Sequence, residues 1–279
     1  MTRRILLIHP TTEEDIKEKS IISGNKDDQP IDWYEESMQK HAEKVVRPDT
    51  EVTQWFLERY SGSLQNLYLA TVNNLPLVNM IIKAEKKGFD AVVITNHADS
   101  GVQMARSVVN IPVIGPCEAS LAVGSFIGEK FVMLTIREQF LRLLEHNIRL
   151  FGFESRVINH RPVRWPEQEL WPHIIEAHQG KTEKFVELFE RIALECIRDG
   201  ADTILVPGYP FGAALSMIGY TEVVDTGVAI VDGAAAALKM AESLADLHKS
   251  IGLLRTKSQM SQYQKPPEGL VEAAVRSSV

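Results

Sequence analysis

The chain has 279 residues, of which 44% are hydrophobic and 24% are charged, and its formal net charge is −7. This composition is ordinary for a globular protein, and the interspersed charges with an acidic balance argue against nucleic acid or an anionic membrane as the main partner. Two cysteines exclude a disulfide framework, and no apolar run approaches the roughly 18 residues of a membrane span, so we expect a cytoplasmic protein with reduced thiols.

The chain opens with a buried-strand pattern from Arg4 to Ile8, which ends at His9-Pro10-Thr11-Thr12. Proline disfavours a helix at His9, and Thr12 can cap a helix with an acidic first turn. His9, Thr11 and Thr12 therefore come at the carboxyl end of a strand, where a helix N-terminus can also bind a ligand carboxylate. The alternative is that the threonines only cap the helix.

The next predicted elements are a loop over Gly24 to Asp32, a helix over Trp33 to Val46 and a strand over Glu51 to Phe56. Apolar residues at helical intervals from Leu64 to Lys87 predict two helices. We expect them to divide near Asn73-Asn74-Leu75-Pro76, because proline disrupts a helix interior.

The stretch from Asp90 to Gly124 is the main feature of the sequence, because a near copy of it follows later in the chain. A short strand from Ala91 to Thr95 runs into the polar turn Asn96 to Gly101. A second apolar run, Ile111 to Gly115, is followed by Pro116-Cys117-Glu118. The order strand, polar turn, helix, strand and helix start is typical of an α/β unit.

In the copy, the strand Thr203 to Val206 runs into Pro207-Gly208-Tyr209, and Val228 to Val231 runs into Asp232-Gly233. A strand over Lys130 to Leu134 starts this second half as the opening strand starts the first, and it ends at Thr135. The chain therefore folds twice into similar halves.

Four further elements are predicted around the copy: helices over Phe140 to Phe151 and Phe185 to Arg198, a strand over Ser155 to His160, and a surface connection over Arg161 to Trp171. The basic cluster Arg161 to Arg164 is interpreted as solvated surface. Cys196 is expected to pack as a small buried residue.

The alanine-rich stretch Gly233 to Ser250 predicts a helix that crosses back to the first half, and the tail from Leu253 is predicted to be extended. We therefore predict an α/β fold of two similar Rossmann-like (flavodoxin-like) three-layer domains with parallel sheets, related by a pseudo-twofold duplication. The first domain would comprise residues 1–122 plus 238–279, and the second residues 123–237. The active-site cleft would lie between them, because open α/β sheets bind ligands beyond the carboxyl ends of their strands.

Several segments in this order resemble the aspartate/glutamate/hydantoin racemase superfamily, and its hydantoin racemase branch in particular. They are the turn His9-Pro10-Thr11-Thr12, the strand Ile111 to Gly115 with Glu118-Ala119, the closing Val228 to Gly233 with its alanine helix, and the tail from Lys257 to Pro267. The resemblance implies a homo-oligomeric enzyme without a cofactor, in which two cysteines on opposite faces of the substrate remove and return a proton next to a carbonyl.

The chain departs from that family pattern at both cysteines. The pattern places one after the strand Ala91 to Thr95 and the other after Thr203 to Val206, where Asn96 and Gly208 stand. Asparagine donates hydrogen bonds but is no base near neutral pH, and glycine offers only its backbone N–H. Racemisation by two thiols is therefore not expected.

Three side chains near these turns are candidates for proton transfer. His97 follows Asn96, His9 is similarly placed, and an imidazole with its ordinary pKa of about 6.5 suits acid/base work. Cys117 stands at a helix start, which lowers a thiol pKa. The alternatives are histidines that face away from the cleft and a buried structural cysteine.

The remaining candidates would bind the substrate. Besides Asn96, which would stabilise an enolate, they are Thr11, Thr12, Asp99, Ser100, Glu118, Thr135, Gly208 and Tyr209. No metal site is expected, since His173 and His178 do not have a familiar ligand spacing.

These residues together predict a racemase- or isomerase-like enzyme that acts on a small carboxylate or a cyclic amide or imide. A hydrolase or decarboxylase on the same scaffold is the alternative, because the same donors stabilise the negative charge of either reaction. A third possibility is a small-molecule binding protein without catalysis.

Overall fold

The computed structural model of the protein describes residues 2–12, 32–59, 66–136, 138–165, 170–264, 266–267 and 269–277. The helix predicted to follow Thr12, and most of the loop predicted before Trp33, lie outside these residues. Within them, the strands form two sheets in which the parallel direction dominates. The predicted α/β class is confirmed.

The first sheet contains β1 (Arg3–His9), β2 (Thr50–Phe56), β3 (Ala91–Ile94) and β4 (Val113–Ile114) among the described residues, all parallel, in the order β2-β1-β3-β4. β1 and β3 are apolar on both faces, as strands buried between helices must be.

The second sheet repeats this order. It contains β5 (Phe131–Leu134), β6 (Val163–Arg164), β7 (Thr203–Val206), β8 (Glu222–Val223) and β9 (Val228–Asp232) within the described ranges, in the order β6-β5-β7-β9-β8. β8 is an antiparallel edge strand beside β9, and the other pairs are parallel. The shared order of the parallel strands supports the predicted duplication.

Ten helices accompany the sheets in the described residues: α1 (Asp32–Val45), α2 (Leu67–Lys86), α3 (Val102–Val108), α4 (Pro116–Ile127), α5 (Leu141–Leu150), α6 (Trp171–His178), α7 (Glu183–Arg198), α8 (Tyr209–Met217), α9 (Gly233–Ile251) and α10 (Leu270–Ser277). Short 3₁₀ turns precede α5 at Glu138–Phe140 and follow it at Glu154–Arg156. None of the described helices is long and apolar enough to cross a membrane.

A shared core joins the two sheets. Ile5 and Leu7 of β1 and Met133 of β5 belong to one cluster of buried side chains, which also includes residues of α1, α4 and α9. The opposite face of the first sheet, with Leu6 and Ile8, packs on α2 and α3. α9 contacts β1, β3 and β4 of the first sheet. Its assignment to the first domain and the domain boundaries stay a prediction.

The region from Leu64 to Lys87 is corrected by the structure, because a single helix, α2, runs through Pro76. Proline removes one helical hydrogen bond and disfavours the helix by about 3 kcal/mol. Leu77 and Ile81 of the same helix are fully buried against the first sheet, and this packing outweighs the proline.

The strand predicted over Ser155 to His160 is also wrong. Val157 forms only an isolated bridge to Phe131, and the strand that pairs with β5 is β6, in the stretch interpreted as a surface connection. Pro162 precedes it and accepts a hydrogen bond from the Met133 N–H, which suits an edge strand because proline needs only its carbonyl there.

Arg164 is a buried residue rather than part of a solvated cluster. Its side chain is 1% exposed, and its guanidinium forms an ion pair of 2.6 Å with Asp199 and also donates to the carbonyls of Arg161 and His160. The sequence around Arg164 does not indicate this partner, because Asp199 is 35 residues away.

The predicted extended tail from Leu253 is correct only in part. Described residues between Gly252 and Ser258 have no regular structure, but the chain then forms α10. Val271 and Val275 of this helix pack against the core beside α2. The helix has only 8 residues, and its apolar pattern is too short to predict a helix from the sequence.

Gly233 offers a test of how closely the two halves approach. A Cβ there would lie 2.6 Å from Pro207 Cα and 3.0 Å from the Pro116 carbonyl oxygen, both backbone atoms. Gly233→Ala is therefore expected to lower the free energy of unfolding by about 3 kcal/mol, measured by urea unfolding.

Gly180→Ala is the matched control, because a Cβ there meets nothing within 4 Å and only the positive φ of +91° opposes it. That variant should lose about 1 kcal/mol. A Gly233→Ala loss no larger than the Gly180→Ala loss contradicts the close approach.

Candidate active site

The polar turn after β3 is organised by Asn96. Its side-chain oxygen accepts hydrogen bonds from the backbone N–H groups of Ala98 (3.1 Å) and Ser100 (3.2 Å), and its amide donates to Ser100 Oγ at 2.8 Å. This is a local side-chain turn of the kind that asparagine favours. Asn96 and Ser100 are half-buried, and one of the two amide hydrogens of Asn96 is engaged within the turn.

His97 is brought against the second half of the chain. Its Nε2 lies 3.4 Å from Thr135 Oγ1, just after β5, and its ring meets Phe140 edge-on at 4.1 Å between centroids. The carbonyl of the next residue, Ala98, accepts a hydrogen bond from the Asn147 amide. Two predicted site residues from different halves, His97 and Thr135, therefore meet at buried positions.

Asp99 binds the first backbone N–H groups of α4 and does not face an open site. Its carboxylate oxygens accept hydrogen bonds from the backbone N–H groups of Cys117 (2.9 Å) and Glu118 (2.8 Å). Burial raises the pKa of Asp99 to about 7, and these two bonds oppose the rise. Glu118 in turn forms an ion pair of 2.7 Å with Arg106.

Cys117 does not have the activated thiol that its place at a helix start suggests. It is fully buried, its sulfur lies 3.9 Å from Met133 Sδ, and burial, followed by the charge of Asp99, raises its thiol pKa well above the ordinary value. The expected lowering is therefore corrected: the Asp99 carboxylate already occupies the amides at this helix N-terminus. Cys196 on α7 is buried as well, as expected.

His9 is a buried histidine whose nitrogens are both engaged. Gln54 donates its amide hydrogens to the Glu35 carbonyl and to Gln39, so the Gln54 oxygen must accept the proton on His9 Nε2, 2.9 Å away. His9 Nδ1 then accepts, with Thr95 Oγ1 at 2.9 Å.

Burial lowers the pKa of His9 to about 4, so the ring is neutral near pH 7. It also stacks on Phe56 at 4.5 Å. These contacts favour a structural role over acid/base work. Thr11 and Thr12 are half-buried beyond β1, and Thr12 lines a cleft of about 540 Å³ beside β2.

At the end of β7, Gly208 precedes α8 and Tyr209 is its first residue. Tyr209 is fully buried, and its hydroxyl has no hydrogen-bond partner among the described residues. Burial, followed by the nearby Asp232 and Tyr34, raises its pKa well above 10, so the phenol keeps its proton. The first turn of α8 presents backbone N–H groups that stabilise negative charge.

The sequence did not single out His41 on α1 or its partner Asp232. His41 Nε2 lies 2.7 Å from Asp232 Oδ2, and the His41 ring meets the Tyr209 ring edge-on at 5.8 Å. Helical spacing from Tyr34 and Met38 does place His41 on the buried face of its helix. The partner could not be found in this way, because it is 191 residues away.

His173 and His178 each contact a neighbouring group of the protein. His173 contacts Glu176 at 2.9 Å, and His178 donates to the Pro210 carbonyl. Across the described part of the chain, no group of three or more histidine, cysteine, aspartate or glutamate side chains is arranged to hold a metal ion.

Comparison with known proteins gives consistent matches. A family model described as Asp/Glu/Hydantoin racemase matches residues 33–241. A hydantoin racemase of Pseudomonas sp. (strain NS671) is 27% identical over 224 residues, which are 78% of this chain and 83% of that protein.

Two solved structures share the fold. An allantoin racemase from Klebsiella pneumoniae superposes with a TM-score of 0.70 at 19% identity, over 96% of this chain and 95% of its own. An allantoin racemase from Pseudomonas fluorescens gives a TM-score of 0.70 at 22% identity, over 95% of this chain and 97% of its own.

Asp99→Asn should change how stability depends on pH. Folded Asp99 keeps its proton up to about pH 7, whereas the unfolded carboxyl ionises near 3.8, so the unfolded state binds fewer protons between these values. The stability contributed by this group therefore falls as the pH rises from about 4 to 7. An asparagine does not titrate, so the stability of the variant relative to wild type should rise by on the order of 3 kcal/mol across that window.

Urea unfolding of both proteins at several pH values from 4.5 to 7 measures this difference. A difference that stays constant, or that moves in favour of wild type as the pH rises, means that Asp99 is ionised throughout and contradicts the raised pKa.

Proposed function

The chain belongs to the Asp/Glu/hydantoin racemase family, and from that premise we propose that it is a cofactor-independent racemase- or isomerase-like enzyme that transfers a proton next to a carbonyl without a thiol. The substrate class we propose is a small cyclic amide or imide. The observation that carries the proposal is the pairing of His97 with Thr135 in a family member that has no sulfur in the turns after β3 and β7.

The relatives support the substrate class. They are named for hydantoin and allantoin. In allantoin and in other 5-substituted hydantoins, the stereogenic ring carbon bears a hydrogen and lies next to a ring carbonyl. Removal of that hydrogen leaves an enolate, which returns to either enantiomer when a proton is added. Because the inversion needs proton transfer on both faces, two acid/base groups suit it better than one.

Neither cysteine of this chain is placed for that task. Cys117 and Cys196 are both buried, and burial raises the pKa of the Cys196 thiol to about 11 and that of Cys117 well above its usual value. A thiol with such a pKa is protonated near pH 7 and is a poor base. Proton transfer in this chain is therefore assigned to other side chains.

His97 is the proposed acid/base group on the side of the first sheet. An imidazole both accepts and donates protons near neutral pH, and the Thr135 hydroxyl at 3.4 Å can orient its Nε2. The enolate oxygen would be stabilised by the first-turn amides of α8 and by the Thr135 hydroxyl. Asn96 contributes mainly by holding the turn that carries His97.

A hydrolase or decarboxylase on the same scaffold is the second candidate, and the absence of sulfur from both turns favours it. The same donors would then stabilise a tetrahedral oxyanion or the charge left by the loss of carbon dioxide. A change of substrate mass distinguishes this candidate from racemisation.

Incubation of the purified protein with single enantiomers of 5-substituted hydantoins and of allantoin tests the proposal. We expect circular dichroism of the substrate to decay while its mass is unchanged. A mass change supports the hydrolase or decarboxylase, and binding without either change contradicts catalysis.

His97→Gln should lower turnover on the substrate so found by at least about 100-fold, because general acid/base groups contribute about 10² to 10⁴ to rate. His146→Gln is the control, since His146 is exposed on α5. Turnover of His97→Gln within about twofold of wild type excludes the acid/base role of His97.

A further inference from the structure

A second group of polar side chains is buried beneath α1, apart from the turn that carries His97. It consists of His41 on α1, Tyr209 at the start of α8, and Asp232 at the end of β9. His41 and Tyr209 are fully buried, and the side chain of Asp232 is 9% exposed. Their elements come from both halves of the chain, so the group lies where the two halves meet.

The hydrogen bonds of Asp232 determine which nitrogen of His41 carries the proton. One carboxylate oxygen accepts from the backbone N–H groups of Ala234 and Ala235, and the other accepts from Ser216 and lies 2.7 Å from His41 Nε2. His41 Nε2 must therefore donate. In the neutral ring, Nδ1 is then an acceptor with a free lone pair.

Asp232 itself stays ionised. Burial raises the pKa of Asp232, but the hydrogen bonds that it accepts from His41, from Ser216 and from the Ala235 N–H oppose burial, and its pKa lies below its usual range. A fixed carboxylate behind an imidazole keeps the ring in one tautomer and stabilises the imidazolium that forms when the ring takes up a proton.

Two atoms of this group have no hydrogen-bond partner among the described residues, namely His41 Nδ1 and the Tyr209 hydroxyl. A buried polar atom left without a partner costs about 1–3 kcal/mol, and native structures contain few of them. Here two occur on rings that touch edge-on at 5.8 Å, one an acceptor and the other a donor. This pairing suits a ligand that offers a hydrogen and an oxygen side by side.

The position of the pair agrees with the family chemistry. Tyr209 directly follows Gly208, the turn position where the resemblance places a thiol, and it stands on the first turn of α8. A cleft of about 250 Å³ is lined by other residues of α1, α6 and α8, among them Ser37, one helical turn before His41.

We propose that His41 is the second acid/base group of this enzyme, that Tyr209 donates a hydrogen bond to the carbonyl oxygen of the substrate, and that Asp232 is a positioning residue for His41. The inference rests on the proposed function and names the group that acts on the face opposite His97. The ligand is a cyclic amide with a hydrogen on the carbon next to its carbonyl.

The step balances without a further reactant. His41 Nδ1 takes the proton as the C–H bond breaks, and the electron pair moves onto the carbonyl oxygen, which the Tyr209 hydroxyl stabilises. Protonated His97 then gives its proton to the opposite face of the same carbon, where a new C–H bond forms. His41 ends with one more proton and His97 with one fewer, and exchange with water restores both.

Exchange of each enantiomer of 5-methylhydantoin in D₂O, followed by mass spectrometry, tests the assignment. With two opposed bases, His41→Gln should slow deuterium uptake from one enantiomer by more than about 100-fold and from the other by less than about tenfold. Glutamine keeps an N–H for Asp232 but cannot act as a base. His248→Gln is the control, because His248 lies on α9 away from the group.

Tyr209→Phe removes a single oxygen atom that has no partner among the described residues, so the melting temperature should not fall. Its deuterium uptake should drop by about 10²-fold or more for both enantiomers, as for loss of an oxyanion donor. This variant keeps the inference testable should His41→Gln fold poorly.

Equal slowing of both enantiomers in folded His41→Gln, or uptake near the wild-type rate in either variant, overturns the assignment of these residues and leaves the proposed function standing. Wild-type protein that exchanges neither enantiomer overturns the proposed function, and this inference with it.

Discussion

The buried carboxylate of Asp232 is the contact on which the arrangement of the site depends. One of its oxygens caps the start of α9, and the other accepts hydrogen bonds from Ser216 of α8 and His41 of α1. One charge therefore connects the end of β9 with three helices, including the helix that returns to the first sheet. Breaking a buried pair of this kind by removing one partner typically costs about 3–5 kcal/mol, because the other group is left uncompensated. Gly233, the next residue, lets the backbones at Pro116 and Pro207 approach closely at the same point.

This arrangement supports the proposal that His97 and His41 act as acid/base groups in a family member without sulfur in these turns. In the turn after β3, the side-chain oxygens of Asn96 and Asp99 accept hydrogen bonds from backbone N–H groups. These bonds fix the turn in which His97 lies against Thr135. In the turn after β7, Gly208 has no side chain, and the ring of the next residue, Tyr209, is buried against His41. Imidazoles replace thiols well in chemical terms, since their ordinary pKa is nearer to neutral pH.

Local sequence patterns predicted much of the fold, but they did not predict most contacts of the candidate site. The strands β1, β3, β7 and β9 were predicted to within a few residues, because short apolar runs before glycine, proline or polar turns are local signals. The pairing of His41 with Asp232 is invisible in sequence, as are the ion pair that buries Arg164 and the neutral state of His9. Each depends on a partner or a degree of burial that only the assembled fold supplies.

The proposed transfer of a proton next to a carbonyl uses no sulfur atom of this chain. Its most direct test is the uptake of solvent deuterium at the ring carbon of a hydantoin by a protein with both Cys117→Ala and Cys196→Ala, its folding checked by circular dichroism. We expect uptake within about threefold of wild type, since neither thiol touches the reaction. Loss of uptake in the folded, cysteine-free protein, with wild type active, would show that a sulfur atom carries the proton. That result would contradict proton transfer without sulfur.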